Sequence, residues 1–154
     1  MAKVNENAIS RAAAIHEAER FVTAAAREKL ELNKCFGDYK KYAKRLEKAA
    51  LVSMKAQRKF NLRPTLAKQR KLDSKKAILV KRVKAYNSAA EKVNVISDRI
   101  HDNYQKAKEI VFDVDMKKGT AIVKKFDKFN EQLTNRINKI QDPLLILDIP
   151  SIDE

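Results

Sequence analysis

Glycine is what this chain most lacks. It has two, Gly37 and Gly119, and three prolines in 154 residues, too few flexible or pre-bent positions for a turn-rich architecture. A β-sandwich, a β-barrel or a doubly wound sheet reverses direction too often for such a chain. Long elements with few turns are expected instead. Alanine runs at Ala12–Ala14 and Ala24–Ala26 make those elements helical, because alanine loses the least on entering a helix. The expected class is all-α, an elongated bundle or coiled-coil-like arrangement.

About four helices are expected, in a single helical domain over residues 1–141. The first, residues 8–36, stops where Gly37 supplies a left-handed C-terminal residue. Asp38 can cap a second, residues 38–62, whose apolar line of Tyr42, Leu46, Ala49, Ala56 and Phe60 keeps helical spacing. Pro64 disfavours helix at Arg63, so a break falls there. The third, about 65–114, contains no glycine or proline. Its residues Leu79, Val83, Tyr86, Ala90, Val93, Ile96, Ile100, Tyr104, Ala107 and Val111 advance by three or four at each step. A helix that long would run roughly 70 Å and offer more apolar seam than short companions cover, so self-association or a larger protein assembly is expected. Gly119 allows a turn into a fourth helix, residues 120–141, with Ile122, Phe126, Phe129, Leu133, Ile137 and Ile140 on one face. Pro143 and Pro150 exclude further helix, and residues 142–154 are expected as an extended acidic, apolar tail. Its Leu144, Leu145, Ile146, Leu147, Ile149 and Ile152 need cover, from the protein's own helices or from a groove on a neighbouring subunit or partner.

Charge is the second constraint. Bases outnumber acids 34 to 20 over the chain, and residues 38–92 alone hold 18 bases against 4 acids. From Lys55 to Lys84 the only acid is Asp73. Like charges at that density repel one another unless a polyanion neutralises them. A merely solubilising face would interleave with acids, as residues 1–37 do with 6 bases and 5 acids. The excess therefore points to sequence-independent contact with a DNA or RNA backbone through Arg58, Lys59, Arg63, Lys68, Arg70, Lys71, Lys75 and Lys76. Phe60 is the only aromatic residue between Lys55 and Lys84, so base stacking is not the mode. A solvated face that keeps the protein soluble is the bland alternative. Two others are a peripheral protein on anionic membrane surfaces and an adaptor for an acidic protein partner. The membrane reading is the weaker, because residues 55–76 lack a wide apolar face with Phe, Trp or Leu.

Catalytic chemistry is not expected. His16 and His101 are isolated, so neither belongs to a metal-binding cluster. Asp113-Val-Asp115-Met-Lys-Lys-Gly119 fails as a calcium loop, since the glycine is a residue late and Lys117 takes a ligand position. It reads better as a helix end. Two widely separated glycines write no phosphate-cradling loop, and carboxylate pairs such as Glu17 and Glu19 lie among bases where solvated ion pairs suffice. No cofactor or small-molecule substrate is expected. Cys35, the single cysteine, suits a reducing compartment, and no apolar run is long enough for a signal or a membrane span. A soluble, cytoplasmic protein is expected, or one held within a virion.

The virion arises from a resemblance. The opening Arg11-Ala-Ala-Ala-Ile15 through Thr23-Ala-Ala-Ala-Arg27 leads into basic helices and a long glycine-free helix. In that style the first sixty or so residues resemble the small internal virion proteins of tailed phages, which line or leave the capsid with DNA. The strongly basic middle and the acidic apolar tail depart from it. The resemblance implies a structural part in a virion or nucleoprotein assembly, and no residue role is carried over.

Overall fold

The computed structural model describes the backbone of residues 2–147 and 149, with side chains from residue 9 onward in those bounds. Three helices account for nearly all of it: α1 is Ala2–Leu62, α2 is Leu66–Val111 and α3 is Met116–Leu145. No strand occurs among the described residues.

The expected count of four is corrected to three at Gly37. Helices 8–36 and 38–62 are one, because Gly37 does not take the left-handed conformation a glycine stop requires. Its interior penalty relative to alanine is only about 1 kcal/mol. The flanking Phe36 and Tyr39, both buried, hold the helix in register across it. Burial along α1 recurs every seven residues, at Ala18, Ala25, Leu32, Tyr39, Leu46 and Ser53. Along α2 it recurs at Leu72, Leu79, Val93, Ile100 and Ala107.

Gly119 is corrected in the same sense. The chain turns earlier, between Val111 and Met116, and Gly119 lies buried in the first turn of α3. The Asp115 carboxylate caps that helix, its Oδ1 accepting the Lys118 N–H at 3.1 Å. Asp113–Gly119 is thus a helix junction. Gly119 is needed for contact: a Cβ there would stand 2.5 Å from Cδ2 of Phe112 and 3.0 Å from its Cα.

The expected extended tail is corrected as well. Helix α3 continues through Pro143 to Leu145. Pro143 removes one N–H from the ladder only two residues before the helix ends, and the apolar contacts of the next few residues offset that loss. Leu144, Leu147 and Ile149 pack against a cluster of Leu46, Ala50, Leu79 and Val83, beside Ala49 and Tyr86. Leu145 and Ile146 are exposed. Ile152 lies outside the described residues.

The chain divides into two compact units, each drawing on all three helices. Unit 1 comprises Met1–Lys34 and Asn94–Asn135; unit 2 comprises Cys35–Val93 and Arg136–Glu154. In unit 1 the buried residues include the small Ala18 and Ala25 of α1, Ile96, Ile100, Tyr104 and Val111 of α2, and Ile122 and Phe129 of α3. His101 of α2 lies within unit 1. It is half-buried against Phe126 and Phe129 and hydrogen-bonded to Oδ1 of Asn130. In unit 2 a neutral network joins the three helices. The Tyr39 and Tyr86 hydroxyls lie 3.0 Å apart, and Gln141 Nε2 donates to the Tyr39 hydroxyl at 2.9 Å. Burial and the Tyr39 hydroxyl hold the Tyr86 phenol far above its ordinary pKa.

Candidate nucleic-acid interface

The basic site is the turn from α1 to α2 together with the helical turns that lead into it. Pro64 ends α1, and Thr65 starts α2 by accepting the Lys68 N–H on Oγ1 at 3.2 Å. The Arg63 N–H still reaches the Lys59 carbonyl at 3.3 Å, and the Gln69 N–H reaches that of Thr65 at 2.9 Å. The Lys68 ammonium, 3.5 Å from the Lys59 carbonyl, sits at the negative end of the α1 dipole. Each helix end at the turn thus carries a capping bond.

Around it the eight residues expected from sequence fall within unit 2. Arg58, Lys59, Arg63, Arg70, Lys71 and Lys76 are exposed, while Lys68 and Lys75 are half-buried. From residue 48 to residue 72 the chain carries no acid at all. Asp73, the first acid after that stretch, accepts a hydrogen bond from Gln69 Nε2 at 2.9 Å. Among the described residues none of the eight bases stands in an ion pair. Two ion pairs lie in unit 1: Arg11 with Asp115 at 3.4 Å and Lys118 with Glu19 at 3.7 Å.

The basic surface extends beyond the expected residues. Lys44, Lys48, Lys55 and Lys59 are exposed and fall on the side of α1 opposite the buried Leu46 and Ala50, as 100° per residue requires. Helical period places that stripe on one face, although Lys44 and Lys48 lie before the densest basic run. Nearer the start of unit 2, Lys41 and Arg45 lie over the Tyr42 ring, 5.8 and 5.7 Å from its centroid. Two leucines were also missed. Leu62 and Leu66, on either side of the turn, are 86% and 67% exposed, whereas apolar spacing reads such residues as core.

Other recesses are less distinctive. An open groove of about 620 Å³ in unit 1 is bordered by His16, Glu19, Arg20, Arg27 and Asn103, a mixture of both charges. In unit 2, half-buried Cys35 lines a space of about 170 Å³ with Asp38, Tyr42, Ser88 and Lys92. No group of three or more His, Cys, Asp or Glu able to hold a metal stands together among the described residues, and no helix there is long and apolar enough to cross a membrane. No protein-family model, curated protein or solved structure matches the chain.

Proposed function

We propose that this is a non-enzymatic helical assembly protein whose α1–α2 hairpin contacts the phosphate backbone of DNA or RNA without regard to sequence. One observation carries the reading: a 25-residue stretch around the turn has eight bases, no acid and no ion pair among the described residues. Self-repulsion of that density is relieved when phosphates replace solvent counterions. The lack of an aromatic platform beside these bases favours backbone contact over base readout.

Assembly is the second half of the proposal. Exposed Ile9, Leu30 and Met116 in unit 1 and exposed Leu51, Leu145 and Ile146 in unit 2 supply apolar surface for a neighbouring copy or partner. The seven-residue burial repeat supports coiled-coil-like packing. The likeness of the alanine-rich opening to phage internal proteins favours a virion or nucleoprotein setting.

The test is a binding titration on unrelated sequences across a salt series. Replacing Arg70, Lys71, Lys75 and Lys76 by Gln should weaken binding equally for every sequence and flatten the logarithmic salt slope by roughly 0.9 per lost contact on duplex DNA. An unchanged slope would reduce the basic hairpin to a solvated face.

A further inference from the structure

Backbone contact accounts for the bases of the hairpin but not for its leucines. Leu62 closes α1, Leu66 opens α2, and only Arg63, Pro64 and Thr65 lie between them. The pair is therefore displayed at the turn, where an apolar side chain contributes nothing to the core of unit 2. The display is rigid, since capping at Thr65 and the Arg63–Lys59 bond hold both helix ends. Exposed Lys59 stands one turn before Leu62, Arg63 follows it, and exposed Arg70 stands one turn after Leu66. The nearest acids along the chain are Glu47 and Asp73.

An occupant of this tip must be anionic around the edge and apolar at the centre. A second copy of the hairpin is excluded by its own charge. A lipid surface would take the leucines, but exposed Asn61 and Thr65 stand beside them, and hydrocarbon leaves amide and hydroxyl groups without partners. Duplex DNA at a flexible step offers all three chemistries together. Phosphates line both walls of the minor groove, base edges there accept hydrogen bonds from Asn and Arg, and a partly unstacked step accepts an aliphatic wedge.

We infer that the α1–α2 turn is a DNA-bending wedge: Leu62 and Leu66, with Pro64 between them, enter a flexible base step from the minor groove while Lys59, Arg63 and Arg70 hold the flanking phosphates. This rests on the nucleic-acid reading above and narrows its ligand to duplex DNA. Because bases and leucines act separately, binding and bending are separable.

The test uses the intact protein and short duplexes carrying donor and acceptor dyes at their ends, with a central TA step or a central A-tract. Wild type at saturation should raise energy transfer on the TA duplex, for a kink of roughly 20–90°, and should bind the stiff A-tract duplex more weakly. L62A/L66A, at exposed positions where alanine suits a helix end, should keep its melting temperature and the salt slope of binding, bind severalfold more weakly and leave the duplex straight. A Gln variant of Lys71, Lys75 and Lys76, which leaves Lys59, Arg63 and Arg70 in place, should do the opposite, with a flatter slope and a retained bend at saturation. Salt-sensitive binding to a duplex that wild type leaves straight would overturn the wedge and spare the parent reading. Equal bending by wild type and L62A/L66A would do the same. No salt-sensitive binding to any nucleic acid would end both. Leucine-dependent retention on phosphatidylserine vesicles, with DNA left straight, would reassign the tip to lipid.

Discussion

The two units are built from the same three helices yet handle charge in opposite ways. Unit 1 carries 14 bases and 12 acids, a net of +2; unit 2 carries 20 bases and 8 acids, a net of +12. Unit 1 engages its cations internally. Arg11 and Lys118 meet carboxylates, Lys29 lies over Tyr104 and Phe129, and Lys106 lies over Phe21. Its helices meet at His101, Asn130 and two phenylalanines. Unit 2 has too few acids to do the same. Its described contacts are mostly neutral: the Tyr39–Tyr86–Gln141 network and the leucine and valine cluster under Leu144, with the Arg136 guanidinium over the Phe36 ring as a cation–π contact. A segment this rich in bases and poor in acids leans on contacts other than ion pairs. That is the lesson of the contrast.

The sharpest way to break it is to empty the unit 2 cluster. Leu46→Ala removes a residue that is 2% exposed and touches the segment after α3. It should cost about 2–5 kcal/mol, with amide exchange accelerated in residues 35–93 more than in 94–135. Equal acceleration in both stretches would show that the units do not differ in what holds them. In unit 1 the corresponding strike is Gly119→Ala, whose new methyl meets the Phe112 ring and backbone. Overpacking of that kind costs about 1–3 kcal/mol, measured as a shift in the urea midpoint. A neutral result would mean that Phe112 moves aside freely.

Smaller effects come from hydrogen bonds and titration. Tyr39→Phe keeps the ring and removes the hydroxyl shared by Tyr86 and Gln141, so a loss of about 1 kcal/mol is expected in chemical denaturation. The Tyr86 phenol has a folded pKa raised by burial first and by Tyr39 second. Its contribution is complete below the ordinary phenol pKa and is lost as pH rises beyond it, so unit 2 should weaken in alkali. Unit 1 responds at the other end. The Lys118 backbone N–H, and then Arg11, hold the Asp115 carboxylate below its usual range. That contribution is present at neutral pH and lost as pH falls through the lowered value, an effect that Asp115→Asn should remove from an acid titration. This is the smallest change expected.

The all-α class was legible from two glycines and three prolines, and the break at Pro64 from the restraint proline places on Arg63. Gly37, Gly119 and Pro143 misled for one physical reason. None is a stop by itself: a glycine ends a helix where its φ turns positive, and neither glycine here does so, while Pro143 removes one N–H only two residues before the helix ends. Whether a helix runs on was decided by the burial of Phe36 and Tyr39 around Gly37 and by Leu144 and Leu147 after Pro143. Those are long-range contacts that local pattern does not contain. The basic segment was legible because acids are missing from it. Leu62 and Leu66 were not, since nothing local distinguishes a displayed leucine from a buried one.

The claim that unit 2, and not unit 1, meets the polyanion is tested most directly by lysine acylation with and without saturating nucleic acid, read site by site. Protection is expected at Lys55, Lys59, Lys71 and Lys76, all exposed around the turn. Equally exposed Lys117, Lys124, Lys125 and Lys128 in unit 1 should keep their reactivity. Protection spread evenly over both sets, or confined to unit 1, would contradict the account.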